Sequence, residues 1–87
     1  MKEFESLRAQ LLEQEWPNVY LFKFIVKNSE ENLAKTMQLF DGEAEVKTQP
    51  SKNGTFVSVS AKELMLDVDS IINKYKQAQT IPGIISL

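Results

Sequence analysis

The chain has 87 residues, of which 43% are hydrophobic and 25% charged, a composition typical of one small globular domain rather than of a disordered segment. The net charge of −2, with both signs interspersed, provides no general attraction to nucleic acid or to an anionic membrane, so neither is expected as a partner. Because cysteine and histidine are both absent, disulfides, thiolate chemistry and the usual zinc and haem sites are excluded, and we expect no cofactor and no bound metal. No apolar leader follows Met1, so a cytoplasmic location is expected.

The first predicted element is a helix over residues 3–15. Phe4, Leu7 and Leu11 recur at helical spacing among glutamate, glutamine and arginine residues. Pro17 ends the helix, because the residue before a proline avoids the helical region. This apolar stripe can pack on the protein's own domain or dock onto a partner, and the pattern alone leaves both alternatives open.

Residues 18–27 are predicted to form the first strand, on which the rest of the fold is built. One side of the strand carries Tyr20, Phe22, Phe24 and Val26, and the other carries Val19, Leu21, Lys23 and Ile25. Both sides are largely apolar, which is typical of a central strand that is covered at least in part on both faces.

A second helix is predicted to begin at Ser29. The serine side chain can cap the helix, and Glu30 and Glu31 lie in the first turn, where the helix dipole favours negative charge. The apolar face is expected to comprise Leu33, Met37 and Phe40. Asp41 and Gly42 are expected to end the helix, with Gly42 in the left-handed conformation.

A β-hairpin is predicted next. Residues 43–49 alternate between charged or polar and less polar positions, which indicates an edge strand with one solvent-exposed face. Asn53 and Gly54 form the strongest short hairpin signal, and a further strand follows from Thr55 to about Lys62.

The register of this hairpin follows from the turn. With Asn53 and Gly54 at its tip, Thr48 faces Val59 and Val46 faces Ala61, so that the apolar sides of the two strands coincide.

The final segment contains a third helix and a short strand. Residues 64–66 are apolar but have no assignable period, and Asp67 is predicted to cap the helix that follows. The apolar positions of that helix, at a helical spacing, are Val68, Ile71, Ile72 and Tyr75. Pro82 and Gly83 follow the helix, and residues 84–87 are expected to form the last strand.

The order of these elements predicts an α+β protein with a ferredoxin-like βαββαβ sandwich. Right-handed crossovers place the first and third strands in the centre of a four-stranded antiparallel sheet, with two helices on one face. We expect an extra N-terminal helix in residues 1–16 and the ferredoxin-like domain in residues 17–87.

Several of these residues resemble the YbeD-like family of small bacterial proteins of unknown function. The entry to the first strand resembles that of the family at Trp16, Pro17, Tyr20, Phe22 and Lys23. The hairpin resembles that of the family at Pro50, Ser51, Gly54, Phe56, Ser58, Val59 and Ser60, and the isoleucine-rich segment 81–87 is similar too. The resemblance implies a ferredoxin-like fold similar to ACT-type regulatory domains, and a role as a lipoate-related regulator.

Residues that carry enzyme chemistry are scarce, so we expect no catalytic activity. The commonest general base and the best nucleophile are absent with histidine and cysteine. Ser58 and Ser60 are expected on a sheet surface, and Glu43 and Glu45 provide too few oxygen atoms for a hard cation.

Two candidate binding regions remain. The outer side of the sheet should present Val19, Leu21, Lys23, Ile25 and Phe56, and either the N-terminal stripe, a second copy or another protein covers it. We therefore predict a non-catalytic regulatory or protein-interaction module that binds another protein or forms a homodimer. The alternative is an ACT-like small-metabolite sensor, whose ligand would bind at a mouth formed by Lys27, Asn28 and Ser29.

Overall fold

The structure, a computed structural model, describes residues 4–87. Within these residues, three helices and four strands follow one another. They are α1 (Glu5–Leu12), β1 (Asn18–Lys27), α2 (Glu30–Met37), β2 (Glu45–Pro50), β3 (Phe56–Met65), α3 (Val68–Ala78) and β4 (Ile85–Ser86). The first three residues of the predicted N-terminal segment 1–16 lie outside this description.

The strands form one antiparallel sheet in the order β2-β3-β1-β4. The first and third strands are central, as predicted, and β2 lies at an edge. The chain is therefore an α+β protein, and its strand order is compatible with a ferredoxin-like fold.

The hairpin register is confirmed residue by residue. Thr48 lies opposite Val59 and Val46 opposite Ala61. Gly54 has a φ of +76°, a backbone conformation that a glycine adopts without steric penalty.

The core lies between the sheet and the helices. Phe22 and Phe24 of β1 have no exposed surface and pack in one cluster with Val59 of β3 and with Ile71 and Ile72 of α3. The period-3.6 pattern of α3 is confirmed, because Val68, Ile71, Ile72 and Tyr75 are all buried.

Helix α1 packs against this same core rather than over the other face of the sheet. Phe4 and Leu11 are members of the buried cluster, and the Trp16 indole N–H donates a hydrogen bond of 2.8 Å to the carbonyl oxygen of Leu11. Arg8 forms an ion pair with Asp69 of α3. All three helices therefore cover one side of the sheet, and the alternative that the N-terminal stripe covers the outer side is wrong.

The two predicted helix caps are confirmed. The Ser29 side chain accepts a hydrogen bond from the amide of Asn32, and the Asp67 side chain accepts one from the amide of Ser70. Both bonds satisfy amides that have no partner within the helix.

The predicted end of α2 is wrong. The helix ends at Met37 instead of continuing to Asp41 and Gly42, and Gly42 does not have a positive φ. The physical reason is local, since the Asp41 side chain accepts hydrogen bonds from the amides of Glu43 and Ala44 and so closes a turn.

The predicted apolar face of α2 is also partly wrong. Met37 is exposed, whereas Thr36 is fully buried. Thr36 can occupy this position because its hydroxyl donates a hydrogen bond of 2.7 Å to the carbonyl oxygen of Asn32.

Other boundaries also differ from the prediction. Strand β2 comprises Glu45–Pro50 instead of residues 43–49, and β4 comprises only Ile85–Ser86 instead of residues 84–87. Helix α1 ends at Leu12 rather than at residue 15. Strand β3 continues through the apolar segment 64–66 as far as Met65, which points into the core. Without that extension, Asn18 and Val19, the first residues of β1, would have no partner on this side.

Candidate interaction surface

The side of the sheet that faces away from the helices is the candidate functional site, and we call it the outer face. The pairing of the strands places on it Val19, Leu21, Lys23, Ile25 and Lys27 of β1, Phe56, Ser58, Ser60, Lys62 and Leu64 of β3, Glu45, Lys47 and Gln49 of β2, and Ile85 of β4. The face therefore carries six large apolar side chains on one continuous antiparallel sheet.

All five residues that the sequence predicted for this face are on it. Val19 and Leu21 expose 57% and 54% of their surface, and Phe56 exposes 39%. Lys23 is exposed as well, and Ile25 is half-buried beside Ile85, its neighbour on β4.

Two residues of the outer face were missed by the sequence analysis. Leu64 lies opposite Val19, and Ile85 lies opposite Ile25. The alternation of β3 would have revealed Leu64 if the strand had been continued to Met65. Ile85 belongs to a strand of only two residues, too short for alternation to assign a face.

The apolar residues form two patches rather than one. Val19, Leu21 and Leu64 lie at one end of the two central strands. Ile25, Ile85 and Phe56 lie at the other end. Between the patches runs a polar row in which Lys23, Ser60 and Lys47 stand side by side on β1, β3 and β2.

The outer face is basic although the whole chain is acidic. It bears four lysines, Lys23, Lys27, Lys47 and Lys62, against the single side-chain carboxylate of Glu45. Within residues 4–87, none of these four lysines forms an ion pair. The net charge of −2 therefore conceals an uneven distribution, with the excess of carboxylates on the helical side and at the loops.

Two depressions mark the outer face. A small one of about 40 Å³ lies between Leu21, Lys47 and Lys62. A larger groove of about 470 Å³ lies at the hairpin end and is lined by Ile25, Pro50, Lys52, Phe56 and neighbouring polar residues. Both depressions combine apolar walls with lysine side chains.

The residues of the predicted ligand mouth are exposed, and their polar groups are used within the protein. The Asn28 side-chain amide donates a hydrogen bond of 3.0 Å to the carbonyl oxygen of Gly54, which ties the end of β1 to the hairpin. The Ser29 hydroxyl caps α2, and the carbonyl oxygen of Lys27 accepts a hydrogen bond from the amide of Ser29. A small-metabolite site at Lys27, Asn28 and Ser29 stays a prediction.

A buried ion pair, which no spacing pattern in the sequence indicates, lies on the helical side of the sheet. Glu63 of β3 accepts hydrogen bonds from the ammonium group of Lys74 and from the amide of Asp41. The Lys74 nitrogen also lies 5.4 Å from the centre of the Phe22 ring and 5.1 Å from that of Phe40. The pair fastens the segment after α2 to α3, which is a structural role.

A second polar contact in the core joins Tyr20 to Tyr75, whose hydroxyl oxygens are 2.9 Å apart. Burial, followed by this hydrogen bond, raises the pKa of Tyr75 well above its ordinary value. Tyr75 is therefore protonated at neutral pH and cannot act as a general base.

The described part of the chain offers little else for chemistry. Residues 4–87 contain no group of three or more acidic side chains placed to hold a metal ion. Over the same residues, no helix is both long and apolar enough to cross a membrane.

The comparisons with known proteins give no relative. No protein-family model, no curated protein and no solved structure matches the chain. The resemblance to the YbeD-like family therefore stays a prediction, and the functional argument depends on the geometry of the outer face.

Proposed function

We propose that this protein is a non-catalytic interaction module of ferredoxin-like architecture that binds another protein through its outer face. The observation that carries the proposal is the one-sided packing of the helices. They bury the inner residues of β1 and β3, and no other part of residues 4–87 forms a layer over the six large apolar residues on the opposite side of the sheet.

The energetic argument concerns the apolar area that remains in water. Fully burying a valine, leucine, isoleucine or phenylalanine side chain contributes about 1.5–3 kcal/mol relative to leaving it exposed. Val19, Leu21, Leu64 and Ile85 each keep more than half of their surface exposed, so a partner can gain a large part of that free energy. Exposed patches of this kind mark interaction surfaces.

The lysines supply the specificity. Lys23 and Lys47 separate the two apolar patches and lack partners within the described protein, so a carboxylate on the partner can reach them. The partner we expect therefore presents apolar side chains around a central acidic residue. Two copies that pack face to face would oppose lysine with lysine, which disfavours that form of homodimer.

The ferredoxin-like assignment is supported by the strand order and by the βαββαβ succession after α1. The regulatory character of the module, and in particular a lipoate-related role, is supported by the family resemblance alone.

The experiment compares Leu21→Asp with a matched control, Leu12→Asp, on α1. Both leucines are more than half exposed, so neither substitution should unfold the protein. Each tagged variant is used to capture partners from an extract of the native cell, with circular dichroism as the check on folding. We expect Leu21→Asp to lose a partner that the wild type and Leu12→Asp retain. Equal capture by all three proteins would contradict the proposal.

A further inference from the structure

The sheet has an open edge beside β4. Strand β1 has ten residues, but β4 pairs with only two of them, Phe24 and Ile25. One further backbone bond joins the amide of Leu87 to the carbonyl oxygen of Lys23. Among the described residues, no strand pairs with residues 18–22 of β1 on this side.

The backbone groups that point to this open edge can be identified. The amide of Asn28 bonds to Thr55 on the β3 side, while the carbonyl oxygen of Lys23 bonds to Leu87 on the β4 side. Because bonding direction alternates along a strand, odd-numbered residues of β1 direct their N–H and C=O groups toward the β4 side. Val19 and Leu21 therefore direct theirs toward the open edge.

Only the beginning of this edge is protected. The Asn18 side chain accepts a hydrogen bond of 2.8 Å from the amide of Val19, and Pro17 has no amide hydrogen to offer. The opposite edge of the sheet is protected in a similar way, since Pro50 lies at the end of β2. The N–H and C=O of Leu21 have no such protection, although each is a strong hydrogen-bonding group.

A groove runs along the inner side of the same edge. Its walls include Phe4 and Leu7 from the α1 region, Tyr20 and Tyr75 from the core, and Leu87 at the end of β4. Its volume is about 360 Å³, far more than the roughly 30 Å³ that one water occupies in the liquid. Ser86 and Gln79 also line the groove, so it combines apolar and aromatic surface with polar groups and has room for the side chains of a bound segment.

We infer that the open edge of β1 is a second binding site, which accepts an extended segment of another protein as an added β-strand. The segment continues the line of β4, antiparallel to β1, and exchanges two backbone hydrogen bonds with Leu21. Its alternate side chains lie opposite Phe22 and Tyr20 and enter the groove, so these positions require apolar residues. This inference goes beyond the proposed function, because it uses the edge and the inner groove rather than the outer face.

The geometry favours a foreign segment over a second copy of this chain. If two copies paired through this edge with Tyr20 opposite Tyr20, Pro17 of one copy would lie opposite Lys23 of the other. That position is already bonded to Leu87. Moving the centre of symmetry to Leu21 places Val19 opposite Lys23, where the same conflict arises. Moving it to Val19 places Pro17, which has no amide hydrogen, opposite Leu21 and uses the Val19 amide that already bonds to the Asn18 side chain. An extended segment that begins beside Leu87 meets no such conflict.

The test adds the strand to the chain itself. Four residues, Val-Thr-Val-Thr, are appended after Leu87, which places the two valines on the inner side and the threonines on the outer side. The matched control appends Asp-Thr-Asp-Thr, which places carboxylates in the groove instead. Amide hydrogen exchange of Leu21 is measured by NMR in both proteins and in the wild type.

We expect the Leu21 amide to exchange at least tenfold more slowly in the valine variant than in the wild type, with a higher melting temperature, and the control to match the wild type. Equal exchange in all three proteins would overturn the proposal. Sedimentation of the wild type over a range of concentrations tests whether a second copy of the chain binds this edge instead. Dimerisation that slows exchange of the Leu21 amide would show that a second copy binds the edge, and would equally overturn the inference.

Discussion

The two faces of the sheet are built from the same strands, yet they differ in almost every property. Phe22 and Phe24 on the inner face have no exposed surface, whereas Leu21 and Val19, their neighbours along β1, are more than half exposed. The inner face is aromatic and its one buried carboxylate, on Glu63, is paired with Lys74. The outer face is mainly aliphatic, with Phe56 as its aromatic residue, and carries lysines that lack ion-pair partners among the described residues.

This difference shows how a short chain divides its apolar residues. A domain of this size can bury only a limited part of its apolar surface. All three helices pack on one side of the sheet, so the buried part is the inner face. The apolar residues of the outer face therefore contribute little to the folding of the isolated chain. We interpret them as binding residues.

The largest difference in the free energy of unfolding should appear between alanine substitutions at two adjacent residues of β1. Phe22→Ala removes a fully buried ring and should lower the free energy of unfolding by about 4 kcal/mol. Leu21→Ala, one residue earlier, should change it by less than about 1 kcal/mol, because its side chain is already largely in water. Urea denaturation of both variants measures the contrast. Similar losses for the two would mean that the outer face is covered.

The second effect concerns the buried ion pair. Lys74→Met leaves the Glu63 carboxylate buried without its partner and should destabilise the protein by about 3 kcal/mol. The double variant Glu63→Leu, Lys74→Met should recover much of that loss, because it removes both charges. Thermal denaturation of the two variants measures this difference in stability. A double variant that is no more stable than Lys74→Met would contradict the expected cost of the unpaired Glu63 carboxylate.

The third effect concerns the cap of α2. Ser29→Ala removes the hydrogen bond to the amide of Asn32 and should lower the free energy of unfolding by about 1 kcal/mol. Ser29→Asp, which can accept the same bond, is the control and should keep most of the stability. If Ser29→Asp is as unstable as Ser29→Ala, the hydroxyl does not act as the cap.

The smallest effect depends on pH. Hydrogen bonds from the Ser70 hydroxyl and amide lower the pKa of Asp67 below its ordinary value. Because the folded-state pKa is the lower one, the cap contributes stability above the unfolded-state pKa and loses it as the pH falls through the folded-state pKa. The stability difference between the wild type and Asp67→Asn, followed by urea denaturation, should therefore shrink as the pH is lowered from 6 toward 2. A difference that grows on acidification would contradict this linkage.

Much of the fold could be predicted because local signals and long-range pairing agree. Ser29 and Asp67 are N-cap residues that predict where α2 and α3 begin. Asn53 and Gly54 predict the hairpin turn, and the register that results places Val46 and Val59 on the same side of the sheet. These features could be predicted because they depend only on the spacing of residues along the chain.

The parts that could not be predicted depend on contacts between distant residues. The stripe Phe4, Leu7 and Leu11 shows that α1 has an apolar face, but only the structure shows that it packs on the helical side. The Glu63–Lys74 pair joins different elements, and no spacing rule connects them. The edge of β1 is open because β4 has only two residues. The isoleucine-rich sequence 84–87 predicts a longer last strand, so the open edge could not be predicted.

The outer face lies open to solvent, whereas the inner face is covered by helices. The most direct measurement is the broadening of side-chain NMR signals by a soluble paramagnetic agent that cannot enter the core. We expect strong broadening for Leu21, Leu64 and Ile85 and almost none for Phe22, Phe24 and Val59. Protection of Leu21 and Leu64 to the level of Phe22, in a protein shown by sedimentation to be monomeric, would contradict the account.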